Sequence, residues 1–374
     1  MKRSSERILT THVGSLIRPA ELLAAGEAAR GAVLADIVAD VVARQAAAGI
    51  DIVNDGEYGK SSWSAYLLDR ITGFEVRPDD LRPVVWMGRD MERFPEAILQ
   101  EMPSAVEGRP VQACTGPIAY TGNGAVERDC DNLKAALAGQ NVAEAFLTAV
   151  APASTAYDGI DEHYGNEHDY IFAIAEALGK EYKAIHAAGL LVQVDDAVLA
   201  NMYDHLVQQS PERYREWAEL RIEATNHALA GIPEDRVRYH VCFGSWHIPH
   251  TADAPLEAII DLILKVNAGA YSIEAANVRH EHEWRVWEAT KLPDGKILIP
   301  GVVSHHTITV EHPRLVADRI IRFAGLVGRE NVIAGTDCGF AQVEGYQRVH
   351  PSIMWAKLES LAEGAALASA ELWP

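Results

Sequence analysis

Arg238-Tyr-His-Val-Cys242 is the stretch on which the fold turns. It is a short β-rich run. In a strand, residues two apart point to the same side, so His240 and Cys242 face one point at its end. Seven further runs of the same kind recur along the chain. They are Ile8-Leu-Thr-Thr-His-Val-Gly14, Asp51-Ile-Val-Asn-Asp55, Val111-Gln-Ala-Cys-Thr115 and Leu190-Leu-Val-Gln-Val-Asp195. Ala270-Tyr-Ser-Ile-Glu274, Ile297-Leu-Ile-Pro-Gly-Val302 and Val332-Ile-Ala-Gly-Thr-Asp337 complete the set. Amphipathic helical patterns separate them, as in Ala32 to Ala48, Ile171 to Ala188 and Pro211 to Ala230.

Eight strands with intervening helices predict an α/β protein built as a single (β/α)8 TIM-type barrel. A doubly wound open sheet is the runner-up. It is disfavoured because no glycine-rich dinucleotide turn follows the first run. The stretch from about 58 to 110 is too long for one strand-to-helix connection, so a long insertion after strand two is expected. Its aromatics, among them Trp63, Tyr66, Phe74 and Trp86, would either cover the barrel mouth or pack as a peripheral subdomain. No linker, repeat or low-complexity tract divides residues 1–374, and one domain is expected.

Active sites of such barrels lie at the C-terminal ends of the strands. The residues predicted there include His12, Gly14, Ser15, Asp55, Glu57, Thr115, Gly116, Asp195, Asp196, His240, Cys242, Glu274, His305, His306, Asp337 and Cys338. Imidazole, two thiolates and a carboxylate form a mixed donor set that suits Zn²⁺. H-x-C alone is weak; it gains weight because Glu274 and Cys338 fall at the same end of later strands. Single residues keep bland readings: Asp195 as a helix cap, Gly14 as a turn, Cys114 as packing, Arg18 as a surface charge. Arg279-His-Glu-His-Glu283 reads as a solvated hydrogen-bonding segment, because His280 and His282 point apart on a helix.

The formal charge of −20, from 33 basic and 53 acidic side chains, argues against nucleic acid or an anionic membrane as partner. No apolar run approaches the roughly 20 residues of a membrane span. The first residues lead straight into a strand-like run, so a cytoplasmic protein is expected. Four scattered cysteines do not make a disulfide scaffold.

Thr10-Thr-His-Val-Gly-Ser-Leu-Ile-Arg-Pro19, Asp55-Gly-Glu57, Gln193-Val-Asp195, His240-Val-Cys242 and Gly335-Thr-Asp-Cys-Gly339 occur together and in this order. In this the chain resembles the catalytic domain of cobalamin-independent methionine synthase and its shorter relatives, which include epoxyalkane:coenzyme M transferase (2-hydroxypropyl-CoM lyase). The resemblance implies a zinc ion held by His240, Cys242, Glu274 and Cys338. It also implies that the backbone at Val13, Gly14 and Ser15 holds the anionic group of a thiol substrate. Glu57 and Asp195 would bind that thiol's amino group when it is homocysteine. His306 matches the family's proton donor, with His305 as the neighbouring alternative.

The implied chemistry is alkyl transfer to a small-molecule thiol from an alkyl donor, either epoxide opening by a thiol such as coenzyme M or methyl transfer to homocysteine. The folate-stacking tryptophan is not recognisable in Thr115-Gly-Pro-Ile-Ala-Tyr120, and a second barrel like that of the full-length synthase is not expected. Folate-dependent homocysteine methylation is therefore the alternative. A metal-free lyase like uroporphyrinogen decarboxylase and a zinc-storing barrel without turnover are the other classes weighed. Whether the chain forms a homo-oligomer is left open.

Overall fold

The strands are short, buried runs whose inward residues alternate, and this alternation sets both the core and the site. The computed structural model describes residues 1–156 and 159–374. Its main sheet comprises β1 (Leu9–Thr10), β2 (Ile52–Val53), β3 (Glu144–Val150), β4 (Leu191–Asp196), β5 (Val237–Val241), β6 (Ala270–Ile273), β7 (Ile297–Val303) and β8 (Ile333–Thr336). Each neighbouring pair from β2 round to β1 is parallel. A parallel bridge between Thr11 and Ile52 closes the ring. The fold is a (β/α)8 barrel, as the eight-run pattern predicts.

Helices separate the strands, among them Glu27–Ala47, Ala125–Ala136, Glu167–Ala187, Pro211–Ala228, Leu256–Ile263 and Pro313–Val327, and Pro351–Leu372 follows β8. Their starts are chemically marked. Asn166 and Ser210 accept the backbone N–H of Asp169 and Arg213, and Pro211, Pro313 and Pro351 occupy first-turn positions where no N–H is needed. Among the described residues no helix is long and apolar enough to cross a membrane.

Along β4, β5 and β6 the inward residues read Leu191-Gln193-Asp195, Arg238-His240-Cys242 and Ala270-Ser272-Glu274 from bottom to top. The bottom layer is apolar, with Leu9, Ile52, Phe146, Leu191, Ala270, Ile297, Ile299 and Ile333 packed together. Above it the buried Arg238 guanidinium stacks 3.8 Å over the Phe146 ring and donates to Thr11 Oγ1 and the His12 carbonyl, both at 3.0 Å. Polarity therefore rises toward the C-terminal end of the barrel.

One strand differs from the sequence expectation. Val111–Thr115 is not in the barrel: Arg109–Cys114 pairs antiparallel with Phe74–Arg82 and parallel with Gly159–Asp161 in a separate sheet. The third barrel strand is Glu144–Val150, whose Glu-Ala-Phe-Leu-Thr-Ala-Val sequence is rich in helix formers. Being buried on both faces, it shows no polar alternation. Thr115 and Gly116 therefore do not sit at a barrel-strand end. The stretch between β2 and β3 runs from 54 to 143, longer than the 58–110 excursion expected.

Part of that stretch covers the mouth. Val84, Trp86, Met87, Ile98 and Ala105 pack together against Trp246 and Ile248 of the loop after β5. Ser62 pairs with Val343 in an isolated antiparallel bridge, and Trp63 N–H donates to the Gln342 carbonyl at 2.8 Å. These contacts fasten the excursion to the loop that follows Cys338.

Candidate metal centre

His240 and Cys242 rise from the end of β5 on the same inward face, and Cys338 follows β8. The three side chains bring one ligand atom each to within 4.8 Å of one another, and all are buried. Cys242 Sγ and Cys338 Sγ are 3.4 Å apart. His240 Nδ1 lies 3.3 Å from Ser272 Oγ, whereas its Nε2 is buried with no hydrogen-bond partner. An unpartnered imidazole nitrogen beside two sulfurs is costly as structure and natural as a ligand set.

The protonation states point the same way. Cys338 is held well below the ordinary thiol range by its hydrogen bond with Cys242 and by the neighbouring His240, and Ser245 Oγ–H donates to it at 3.2 Å. Cys242 is pushed up because it donates to Cys338 and is buried. Burial also drives Glu274 well above the carboxylate range, with Asp337 and Cys338 adding repulsion. Donors crowded until they cannot all ionise are what a dication would relieve. The nitrogen and sulfur donors fit zinc.

Glu274 stands beside the triad without joining it. Its Oε1 accepts from Phe243 N–H at 3.0 Å and its Oε2 from Asn277 Nδ2 at 2.7 Å. Asp337 organises this edge: its Oδ1 accepts the N–H groups of Ala275 and Ala276, both at 2.8 Å, and its Oδ2 accepts from Asn277 at 3.1 Å. The Thr-Asp-Cys-Gly segment thereby ties the loop behind Glu274 to Cys338.

The triad opens into a cavity of about 420 Å³. Val13, Ser15, Glu57 and Asp195 line it together with the triad, as do Trp63, Trp86, Trp246 and Met102. Burial raises the Asp195 carboxyl to about 7, with the His240 charge opposing and Glu57 adding to the rise. Helix capping falls to Asp196 instead, whose Oδ1 accepts from Val198 and Leu199 N–H, both at 3.0 Å.

Glu57 is held in an unusual conformation. Its φ is 61° and that of Gly56 is 69°, the left-handed region that bulky residues avoid, and its Oε2 is buried without a partner. Gly14, at φ 147°, lies so close that a Cβ there would be 2.6 Å from Thr148 Cγ2 and 2.9 Å from Glu57 Oε1. Gly14→Ala is thus expected to displace Glu57 from the cavity wall and to raise the KM of a substrate taken up there by about tenfold or more. An unchanged KM would mean that Glu57 does not contact the substrate.

His305 and His306 are not in the cavity wall. His305 is fully buried with neither ring nitrogen partnered; His306 is half-buried, its Nε2 also unpartnered. Their rings meet edge-on at 4.4 Å, and His247 and His250 lie 5.3 and 5.8 Å from His306. Burial, with Arg279 and Arg348 nearby, lowers His306 to about 2, so it is neutral at physiological pH.

Two sequence expectations are corrected here. Arg18 is not at the surface: it is buried and donates to the carbonyls of Ala341, Glu57 and Lys60 at 3.0, 3.1 and 2.8 Å. The Arg279–Glu283 segment is hydrogen-bonded as expected but only partly solvated, with His282 exposed and His280 and Glu283 buried. His280 is buried between Glu283 Oε2 at 2.6 Å and Asp253 Oδ2 at 3.1 Å, and Arg279 reaches Glu274 Oε2 at 3.5 Å. Ser245, Asn277, Arg279 and Gln342 surround the triad yet lie in loops with no spacing that would single them out.

The family model for the catalytic domain of cobalamin-independent synthase matches residues 162–355, a span that holds His240, Cys242, Glu274 and Cys338. The chain belongs to that family. Among curated members, methionine synthase of Saccharolobus solfataricus is 24% identical over 333 residues, covering 87% of this chain and 81% of that protein. The 2-hydroxypropyl-CoM lyase of Xanthobacter autotrophicus is 25% identical over 379 residues, covering 91% and 86%. A B12-independent methionine synthase from Shewanella sp. W3-18-1, solved in complex with selenomethionine, shares the fold. Its TM-score is 0.75 at 20% identity, and the match covers 98% of this chain and 99% of that one. The relatives similar to this chain are thus named for different reactions.

Proposed function

We propose that this protein transfers an alkyl group to a small thiol at a zinc ion held by His240, Cys242 and Cys338, with Glu274 as the oxygen donor. The observation that carries this reading is the convergence of three buried ligand atoms, one an unpartnered His240 Nε2, on the floor of a cavity. When bound, the ion would keep an incoming thiol as thiolate, whereas a free thiol with a pKa near about 8.5 is mostly protonated at neutral pH. A metal-free decarboxylase would have no use for such a donor set.

The chain's own residues position the reactants. Glu57 and Asp195 would take the amino group of a thiol such as homocysteine, and the backbone from Val13 to Ser15 its anionic end. The thiol sulfur attacks the electrophilic carbon and an S–C bond forms. The C–O bond of an epoxide, or the bond from a methyl group to its carrier, breaks with its electron pair on the leaving atom, which then takes a proton. By family resemblance His306, with His305 beside it, would be the donor, a role that requires its ring to be brought to the cavity and to be protonated there.

Trp86 and Trp246 stack at 4.1 Å with 24° between their rings, and with Trp63 and Met102 they give the cavity an apolar wall. That wall supports a small apolar electrophile over a polyglutamylated folate, which would need a basic groove. Trp246→Ala is expected to lower kcat/KM for a short epoxide or methyl donor by about tenfold or more, with metal content unchanged. Equal loss of metal would mean the stack supports the centre and not the donor.

The reading is tested by assaying zinc-loaded protein with homocysteine and coenzyme M against propylene oxide and methyltetrahydrofolate, following the thioether product. Thioether formation supports the proposal, and the productive pair names the substrates. Metal-loaded protein that alkylates none of the thiols would sink it, and methyltetrahydrofolate turnover with homocysteine would move it to the folate branch.

A further inference from the structure

The cavity carries a cation that none of the roles above uses. Arg348 lies in the loop after Cys338 and lines the same cavity as the triad. One of its terminal nitrogens donates to Gln342 Oε1, and the guanidinium carbon sits 4.7 Å from the Tyr346 ring centroid. Its Nε is buried with no hydrogen-bond partner, and among the described residues no carboxylate forms an ion pair with it. The other arginines beside the site differ: Arg279 reaches Glu274 and Asp253, and Arg18 is held by three carbonyls.

The half-buried guanidinium is in direct ion contact with no carboxylate among the described residues; Cys338, Cys242 and Glu274 attract it only through space, and an oxyanion held against its fork would add a charge-assisted bond. Its histidine neighbours supply no such charge, since His247, His305 and His306 are all shifted toward the neutral form, mainly by burial. Gln342 links the cation to the chemistry. Its Nε2 contacts Gly339 O, Ser245 Oγ at 3.1 Å and Cys338 Sγ at 3.7 Å, so one side-chain amide separates Arg348 from a metal-ligating sulfur.

We propose that Arg348 is a specificity-determining residue that binds a carboxylate, sulfonate or phosphate group on a substrate reaching the metal centre through this cavity. The guanidinium fork suits such planar or tetrahedral oxyanions, and the bond is charge-assisted. The inference rests on the thiol alkyl-transfer reading: it either joins a side-chain cation to the Val13–Ser15 backbone at the thiol's anionic end or gives the donor an anionic group. A purely structural Arg348 would brace Gln342 and show no preference for ligand charge.

The test titrates zinc-loaded protein with 3-mercaptopropionate, 2-mercaptoethanesulfonate and the neutral 3-mercaptopropanol, in the wild type, Arg348→Gln and Arg348→Lys. If the anion is on the thiol, the wild type prefers the anionic thiols by about tenfold or more. The preference then falls to near parity in Arg348→Gln and partly returns in Arg348→Lys, with neutral-thiol affinity and zinc content unchanged. If the anion is on the donor, thiol affinities stay level and the donor KM rises by a similar factor in Arg348→Gln. Ethanesulfonate, which has no thiol, reads the arginine separately: Arg348-dependent binding of it would survive failure of the alkyl-transfer reading. Arg348→Gln with unaltered thiol preference, donor KM and ethanesulfonate binding would overturn the proposal.

Discussion

Cys338→Ser is expected to lose the bound metal and to lower kcat/KM by on the order of 10³-fold or more, as removing several kcal/mol of charge stabilisation should. Serine cannot supply a thiolate at neutral pH. In this protein the lost sulfur also accepts hydrogen bonds from Cys242 and Ser245, which would lose their partner. Cys242→Ser should behave alike. Cys130→Ser serves as the control, because Cys130 is buried in the Ala125–Ala136 helix away from the triad. Global unfolding is not expected, since the apolar layer under the site stands without the metal. Cys338→Ser with full metal content and full activity would show that the centre is wrongly drawn.

Arg70→Met is expected to cost about 3–5 kcal/mol of stability, the largest structural effect foreseen for a single side chain. Arg70 is buried between Asp129 Oδ2 at 2.9 Å and Glu181 Oε1 at 3.2 Å. Glu181 also accepts from Tyr66 Oη at 2.8 Å and Tyr120 Oη at 3.0 Å. This network fastens the excursion over the mouth to the Ala125–Ala136 and Glu167–Ala187 helices. Truncating the cation leaves Glu181 buried without its counter-charge and Asp129 with Arg128 alone, whereas the apolar methionine can fill only the volume. Denaturant unfolding reads the loss, and a change below about 1 kcal/mol would mean that water or a rearranged side chain compensates.

Much of this arrangement was legible in the sequence, for definable reasons. Period-two alternation put His240 and Cys242 on one side of their strand before any contact was known. Repetition of strand and helix then closed the barrel. The third strand escaped because alanine and leucine in Glu144–Val150 carry helix propensity, while the β-branched Val111 run belongs to a different sheet. Propensity there reported a strand correctly and its partner wrongly. Glu274 was placed at the right height, but its alternative hydrogen bonds to Phe243 and Asn277 are tertiary facts that no spacing reveals. Arg18, Arg279, Gln342 and Arg348 lie in irregular segments, and their burial follows from loops meeting across the mouth.

The most direct measurement is zinc K-edge X-ray absorption of the purified protein, recorded alone and with saturating thiol. Without thiol, a shell containing one histidine nitrogen and two sulfurs is expected, from His240, Cys242 and Cys338, with Glu274 supplying oxygen. With thiol, the sulfur neighbours should rise from two to three, and the oxygen contribution should weaken if Glu274 yields its place. A protein that holds no zinc, or a coordination shell identical with and without thiol, would contradict direct activation of the thiol at this centre.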